Sequence, residues 1–317
     1  GAGAMTTRRG LLIGAAALAA PVPVRARAPR GVELLVGAAP GSPPDLWARG
    51  VAPFLERRLT RLSVSVRNQP GRGGLDAVAA LLAAPPDSLV VGSLTSPGLL
   101  VRAIEAGEPS PATRLQPLAA LVEEPVVLVT APNGPETLVA LRALGDRGLI
   151  GTPASGSAAH VAALRFDGRL DLPRLAFPSA AAARQAAIAG NVAAAVLGLA
   201  DAIAALREGK LTALGLAAAR RSALLPETPT LRELGVDVGA ATVRGFTLPP
   251  AAPAPWRAAL LAALEGVAAD SDFAAQCAAL GQTPRFLGPD AWTGLLTRID
   301  EDLRRRWRDG PWLPRHA

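Results

Sequence analysis

Residues 64–74 constrain the fold most. An alternating apolar segment, Val64-Ser65-Val66, runs through Asn68 into the turn Pro70-Gly71-Arg72-Gly73-Gly74, and a helical pattern follows over residues 75–82. Strand, glycine turn and helix in that order make a βα unit whose loop points backbone N–H groups outward. Glycines let the main chain approach a guest with no Cβ in the way, and the helix start adds partial positive charge, so small anions are the natural guests. The turn is not a Walker loop, because no Lys followed by Ser or Thr is present. Glycines that do no more than turn the chain are the plainer alternative.

The same unit recurs along the chain. Short apolar strands are expected at 32–36, 64–66, 88–91, 126–130, 149–150, 174–177, 193–197 and 211–216, alternating with Ala/Leu-rich helices at 46–59, about 136–145, 157–165, 180–189 and 200–208. Residues 244–248 are extended, after which Pro249, Pro250, Pro253 and Pro255 punctuate the chain and three helices complete it. This alternation predicts an α/β fold of parallel sheets with helices on both faces. The length suits two lobes, 29–128 with 248–317 and 129–247, hinged near 127–130 and 244–248.

Gly1 to Ala4 precede Met5 and read as a cloning remnant. Arg8-Arg9, an apolar run at 13–20 and Ala26-Arg27-Ala28 follow, so residues 1–28 are expected to end in a signal peptide of the twin-arginine type, and the mature protein to be soluble and periplasmic. The run is shorter than the ~20 residues a membrane span needs. The net charge of +7 suggests nucleic acid at first sight, but every basic residue except Lys210 is Arg, and they are scattered. The one cluster, Arg304 to Arg306 with Arg308, sits beside Asp300, Glu301 and Asp302 and reads as a solvated helix face, so no nucleic-acid partner is expected. Cys277 is alone, which excludes an intramolecular disulfide, and a buried thiol is expected. Only His160 and His316 are present, so a histidine-rich metal site is excluded; neither metal nor cofactor is expected.

Ligands of open α/β sheets bind outside the carboxyl ends of the strands. Four loops there stand out: Pro40, Gly41 and Ser42 with Asp45 as a helix cap; Asn68, Arg72, Gly73 and Gly74; Ser93 and Thr95; and Ser155, Gly156, Ser157 and His160. They are rich in Gly, Ser and Thr and poor in charge, a neutral donor lining suited to carboxylates. Each loop alone is equally an ordinary turn or cap; their coincidence in both lobes favours a ligand site. Ser157 and His160 lie three apart and could meet as nucleophile and base of a serine hydrolase, but no G-x-S-x-G elbow and no orienting acid accompany them. Glu123 and Glu124 precede Pro125 in an expected connector and read as solvated.

Longer segments carry a resemblance. Pro40-Gly41-Ser42-Pro43-Pro44-Asp45, the run 66–74, Ser155-Gly156-Ser157-Ala158-Ala159-His160, Gly209-Lys210-Leu211-Thr212-Ala213-Leu214 and the run 225–235 come in the order in which similar segments occur in the solute-binding receptors of tripartite tricarboxylate transporters, the Bug or TctC proteins. The likeness covers nearly the whole mature chain. It implies a monomeric, two-lobed periplasmic binding protein, type II-like, that closes as a Venus flytrap on a small organic acid and delivers it to the transporter's membrane subunits without catalysis. A receptor that presents its ligand to a membrane histidine kinase fits the same residues. The chain departs from the family at Ser42 in place of a second glycine, at Gln69 in place of an arginine and at Arg72, which could face the cleft and add a cation. Phe177-Pro178-Ser179 replaces an aromatic-Lys-Gly turn, and Ala193 and Leu197 stand where acids are often seen. The resemblance thus implies a more apolar far end, lined by Phe177, Ser179 and Leu197, and a monocarboxylate or hydrophobically substituted acid rather than citrate.

Overall fold

The structure, a computed structural model, describes residues 31–313. The expected signal peptide and His316 lie outside the described residues. The chain begins with β1 (Gly31–Val36), α1 (Pro43–Glu56), β2 (Ser63–Asn68), α2 (Leu75–Leu82), β3 (Val90–Ser96), α3 (Gly98–Glu105), α4 (Pro111–Arg114) and β4 (Gln116–Thr130). It continues with α5 (Leu138–Ala143), β5 (Ile150–Thr152), α6 (Ala158–Leu164), β6 (Arg174–Ala176), α7 (Ala180–Ile188), β7 (Ala194–Gly198), α8 (Leu199–Arg207) and β8 (Thr212–Leu216). The closing elements are β9 (Ala241–Leu248), α9 (Ala254–Ala268), α10 (Ser271–Ala279), β10 (Thr283–Leu287) and α11 (Pro289–Asp309).

The strand β4 organises the molecule. Its first half lies between β9 and β10 in a sheet that continues through β3 and β1 to β2, and its second half lies between β7 and β8 in a sheet that continues through β5 to β6. Pairing is parallel for β1 with β2 and β3 and for β5 with β6 and β7, as the strand–helix alternation requires. It is antiparallel wherever β4 or β9 takes part, which corrects the expectation of parallel sheets throughout. The reason is topological: β4 and β9 carry the chain out of one lobe and back again, so they run in opposite directions. Partners exchange between Pro125, opposite Ala241, and Val126, opposite Gly198. The crossing points therefore precede the expected hinge segments 127–130 and 244–248.

Glu123 and Glu124 before Pro125 read as a connector, yet they lie within the strand β4, which already begins at Gln116. Register shifts beside Pro117 and Ala120 absorb the irregularity, and bulges are where proline is tolerated within a sheet. Helix α1 starts on Pro43 and Pro44, where the missing N–H groups cost nothing, and buries Trp47, Val51, Phe54 and Leu55 against β1 and β9. Cys277 lies in the same core, its thiol pushed up to about 11 by burial. The second lobe packs two clusters, one on each face of its sheet: Ala194 and Val196 of β7 belong to one, Ala195 and Leu197 to the other. Among the described residues no helix is long and apolar enough to cross a membrane, and no cluster of His, Cys, Asp and Glu could hold a metal ion.

Candidate functional site

The first-lobe wall is built from loops that hydrogen-bond to themselves. Asp45 is 1 % exposed and accepts from Gly41 N at 2.8 Å, Asn68 Nδ2 at 2.9 Å and Arg49 Nε at 3.0 Å. Arg49 first, then Gly41 and Asn68, hold its carboxyl down at about 2 against the opposing effect of burial. Asn68 also donates to Ala38 O at 3.0 Å, which fastens the end of β2 to the β1–α1 loop. Asp45 and Asn68 are thus braces, and neither lines a cleft cavity. Pro40, Gly41 and Ser42 stay outside the cavities too; Pro43 and Pro44 reach them instead. The positive φ of the loop, +78°, falls on Gly41, whereas Ser42 is extended at −74°, so the second glycine is dispensable. Arg72 turns away from the cleft, to Asp76 at 2.7 Å and Glu108 at 2.5 Å, because acids one helical turn along α2 and after α3 capture it.

Gly73, Gly74, Ser93 and Thr95 line a 440 Å³ cavity in the first lobe that reaches Arg102 and, across the lobes, Gly156. Gly73 and Gly74 have φ of +66° and +101°, which a side chain would strain. Ser93 and Thr95 lie within β3 rather than in a loop, since pairing with β9 keeps the chain extended as far as Ser96. Thr95, Gly98 and Gly156 are shared with a second cavity of 580 Å³, the cleft proper. Trp47 and Ser96 line it from the first lobe, and Ser157, Gly198 and Asp201 from the second.

On the second-lobe wall Ser157 caps α6, its Oγ accepting from His160 N at 3.0 Å. The His160 ring stands edge-on to Trp312 with centroids 6.2 Å apart, and its Nδ1 is buried without a partner. Burial lowers its pKa to about 4, which keeps the ring neutral. No Ser–His hydrogen bond forms between side chains among the described residues. Ser155 accepts through its carbonyl from Arg102 at 2.5 Å, and Ser179 caps α7, accepting from Ala182 N at 3.1 Å. Phe177 and Leu197 are corrections to the expected far end. Leu197 is fully buried in the core, and Phe177 packs against that core beside Gly151, because both faces of the sheet are covered by helices.

The charged residues of the cleft were missed by the sequence analysis. Glu124 is 3 % exposed and pairs with Arg244, 7 % exposed, at 2.9 Å; this corrects its expected place in a solvated connector. Its other oxygen accepts from Ala200 N, at the start of α8, at 3.3 Å. Asp201, in the first turn of α8, has its pKa raised to about 6 by burial and by Glu124, with Arg184 and Arg244 opposing. The available signal was the lone Arg244 inside the otherwise apolar strand β9, since a charge so placed must pair.

The lobes meet at two rims of the cleft and also where α6 packs on α11, through Arg165 with Asp302 at 2.8 Å and Val161 in the cluster around Trp292. At one rim, Arg102 of α3 bridges to Ser155, and a Cβ on Gly98 would touch Gly156 O. At the other, Arg207 donates to Ala278 O at 3.3 Å, and Gly281 lies against Ala200. The cavity therefore lies between parts of the chain that touch on both of its sides.

Comparison with known proteins agrees with this arrangement. A model of the family described as "Tripartite tricarboxylate transporter family receptor" matches residues 47–278. Protein BugT of Bordetella pertussis is 27 % identical, with 94 % of this chain and 93 % of that protein covered. A TctC solute-binding protein from Polaromonas, solved without ligand, superposes with a TM-score of 0.78 at 21 % identity, covering 88 % of this chain and 98 % of that one. MatC from Rhodopseudomonas palustris, solved with bound malate, gives a TM-score of 0.66 at 26 % identity over 91 % of this chain and 99 % of that one.

Proposed function

The chain belongs to the tripartite tricarboxylate transporter receptor family, and from that premise we propose that it captures a small organic acid between its lobes and delivers it to the membrane subunits of such a transporter after export by the twin-arginine route. The observation that carries the reading is the 580 Å³ cleft lined from both lobes by hydroxyls and by the backbone of Gly98, Gly156 and Ser157. Hydrogen bonds to a charged group contribute ~1.5–3 kcal/mol each, so a handful suffices for micromolar binding, about −8 kcal/mol, after the cost of closure. The bound malate of MatC belongs to that protein, and it supports an organic acid here. The hinge of this reading lies at Pro125–Val126 and Ala240–Ala241, between a lobe formed by 29–128 with 248–317 and one formed by 129–247, each boundary shifted to the crossing point.

The ligand of this reading has a single carboxylate. Asp201 borders the cleft on the second-lobe side and, with Glu124 already paired to Arg244, is the acid whose charge would repel a second carboxylate there. A melting-temperature panel of organic acids tests the proposal: ligands of the folded state raise the midpoint by mass action. Ser157→Asp is the decisive variant, because aspartate caps a helix as well as serine does while adding negative charge in the cleft. Monocarboxylates are expected to stabilise the wild type and leave Ser157→Asp unmoved. Equal stabilisation of both proteins refutes the reading. Loss of uptake of the same acid in cells lacking the membrane subunits tests the transporter partnership.

A further inference from the structure

Resting on that reading, we propose that Asp201 is a specificity residue that takes an ammonium group, so that the organic acid captured here is an amino acid or other amino-substituted acid. Two independent observations point there. The Asp201 carboxylate receives no hydrogen bond among the described residues, although it lines the cleft; the one contact to this residue, from Arg184, goes to its backbone oxygen at 2.6 Å. On the opposite lobe the Gln282 side chain, 7 % exposed, lines the same cleft with Oε1 buried and unpartnered. A buried acceptor left unmatched costs free energy unless a ligand supplies the donor.

The neighbouring charges explain why Asp201 is the open group. A Cβ on Gly198 would touch both the Glu124 and the Asp201 carboxylate, so the two acids crowd one spot. Glu124 is neutralised by Arg244 and by the Ala200 N–H. Asp201 is left with the more distant fields of Arg184 and Arg244 against burial and Glu124. A cation delivered by the ligand completes the set, and Thr95, Ser96, Gly156 and Ser157 line the same cleft. An ammonium has three donors, which suits the open acceptors of Asp201 and Gln282, while the buried, unpartnered Nε of Arg244 leaves one donor beside them.

Calorimetry with straight-chain acids from propanoate to hexanoate, each against its amino-substituted counterparts, is the test. On the wild type the best amino acid is expected to bind about ten- to a hundredfold more tightly than the acid without nitrogen, and Asp201→Asn to remove that margin. The pH profile adds a readout that a structural role would not move. Because the carboxylate is held at about 6, amino-acid affinity should rise about tenfold between about pH 5 and about pH 8 in the wild type and stay flat in Asp201→Asn; Glu124, Arg244 and Arg184 are common to both proteins. Binding of unsubstituted acids as tightly as amino acids, or a margin that survives in Asp201→Asn, overturns this inference and leaves the receptor reading intact. Binding of neither series overturns both.

Discussion

The two walls of the cleft treat their polar groups in opposite ways. In the first lobe Asp45, Asn68, Arg49 and Gly41 satisfy one another, so the loop arrives already braced. On the far wall Asp201 is left without a donor beside the buried pair of Glu124 and Arg244. In the proposed reading the braced wall sets where a ligand can sit, and the unsatisfied wall sets which ligand it will be. Charges kept unpaired in a folded protein lower its stability, and sites of function are where that cost is tolerated.

The largest expected effect breaks the far wall. Glu124→Ala strands the Arg244 guanidinium in the interior and should cost about 3–5 kcal/mol in urea unfolding, while the double change Glu124→Leu with Arg244→Met should recover most of it. On the braced wall, Asp45→Ala removes the acceptor shared by three donors and should cost about 2 kcal/mol. Asp45 adds an acid limb as well. Its folded pKa, about 2, lies below the ordinary 3.8, so its contribution is complete above the ordinary value and lost as pH falls towards 2; Asp45→Asn should flatten that limb.

Asp201 should behave in the opposite sense. Its folded pKa is raised from 3.8 to about 6, so the folded state holds the proton more tightly and wild-type stability falls as pH rises through that window. Asp201→Asn should therefore raise stability at about pH 8 by about 1–2 kcal/mol, allowing for partial solvent screening, and change nothing at about pH 4. A destabilised Asp201→Asn at the higher pH would erase the contrast between the walls. The smallest effect concerns the rim. Arg102→Ala removes the bridge to Ser155 and should weaken ligand binding by about 1 kcal/mol, roughly fivefold, with the unfolding midpoint of the free protein unchanged.

Much of the fold was legible because periodicity and glycine placement act locally. The strand, turn and helix at 64–82 and the alternation over 149–216 follow from residues near in sequence. The length of β4 was not, since Glu123 and Glu124 before Pro125 read as a connector, and only pairing with β9 and β10 decides otherwise. The site divides in the same way. Of the loops that draw attention in the sequence, Pro40 to Asp45 and Asn68 to Gly74, the residues Pro43, Pro44, Gly73 and Gly74 line cavities, whereas Asp45, Asn68 and Arg72 serve the scaffold. Glu124, Asp201, Arg244 and Gln282 come from four separate segments, and a single sequence carries no sign that they meet. Leu197 was expected at the ligand because the resembling family often carries an acid at its position, and nothing local tells that both faces of its sheet are covered here.

The central claim is that the cleft holds one carboxylate and refuses a second at the wall of Glu124 and Asp201. Calorimetric dissociation constants for a series of monocarboxylates, their amino derivatives and citrate, measured on the wild type and on Ser157→Asp, test it most directly. The account predicts micromolar binding of a singly carboxylated acid, weaker binding of citrate and loss of both in Ser157→Asp. Citrate bound more tightly than every monocarboxylate would contradict it.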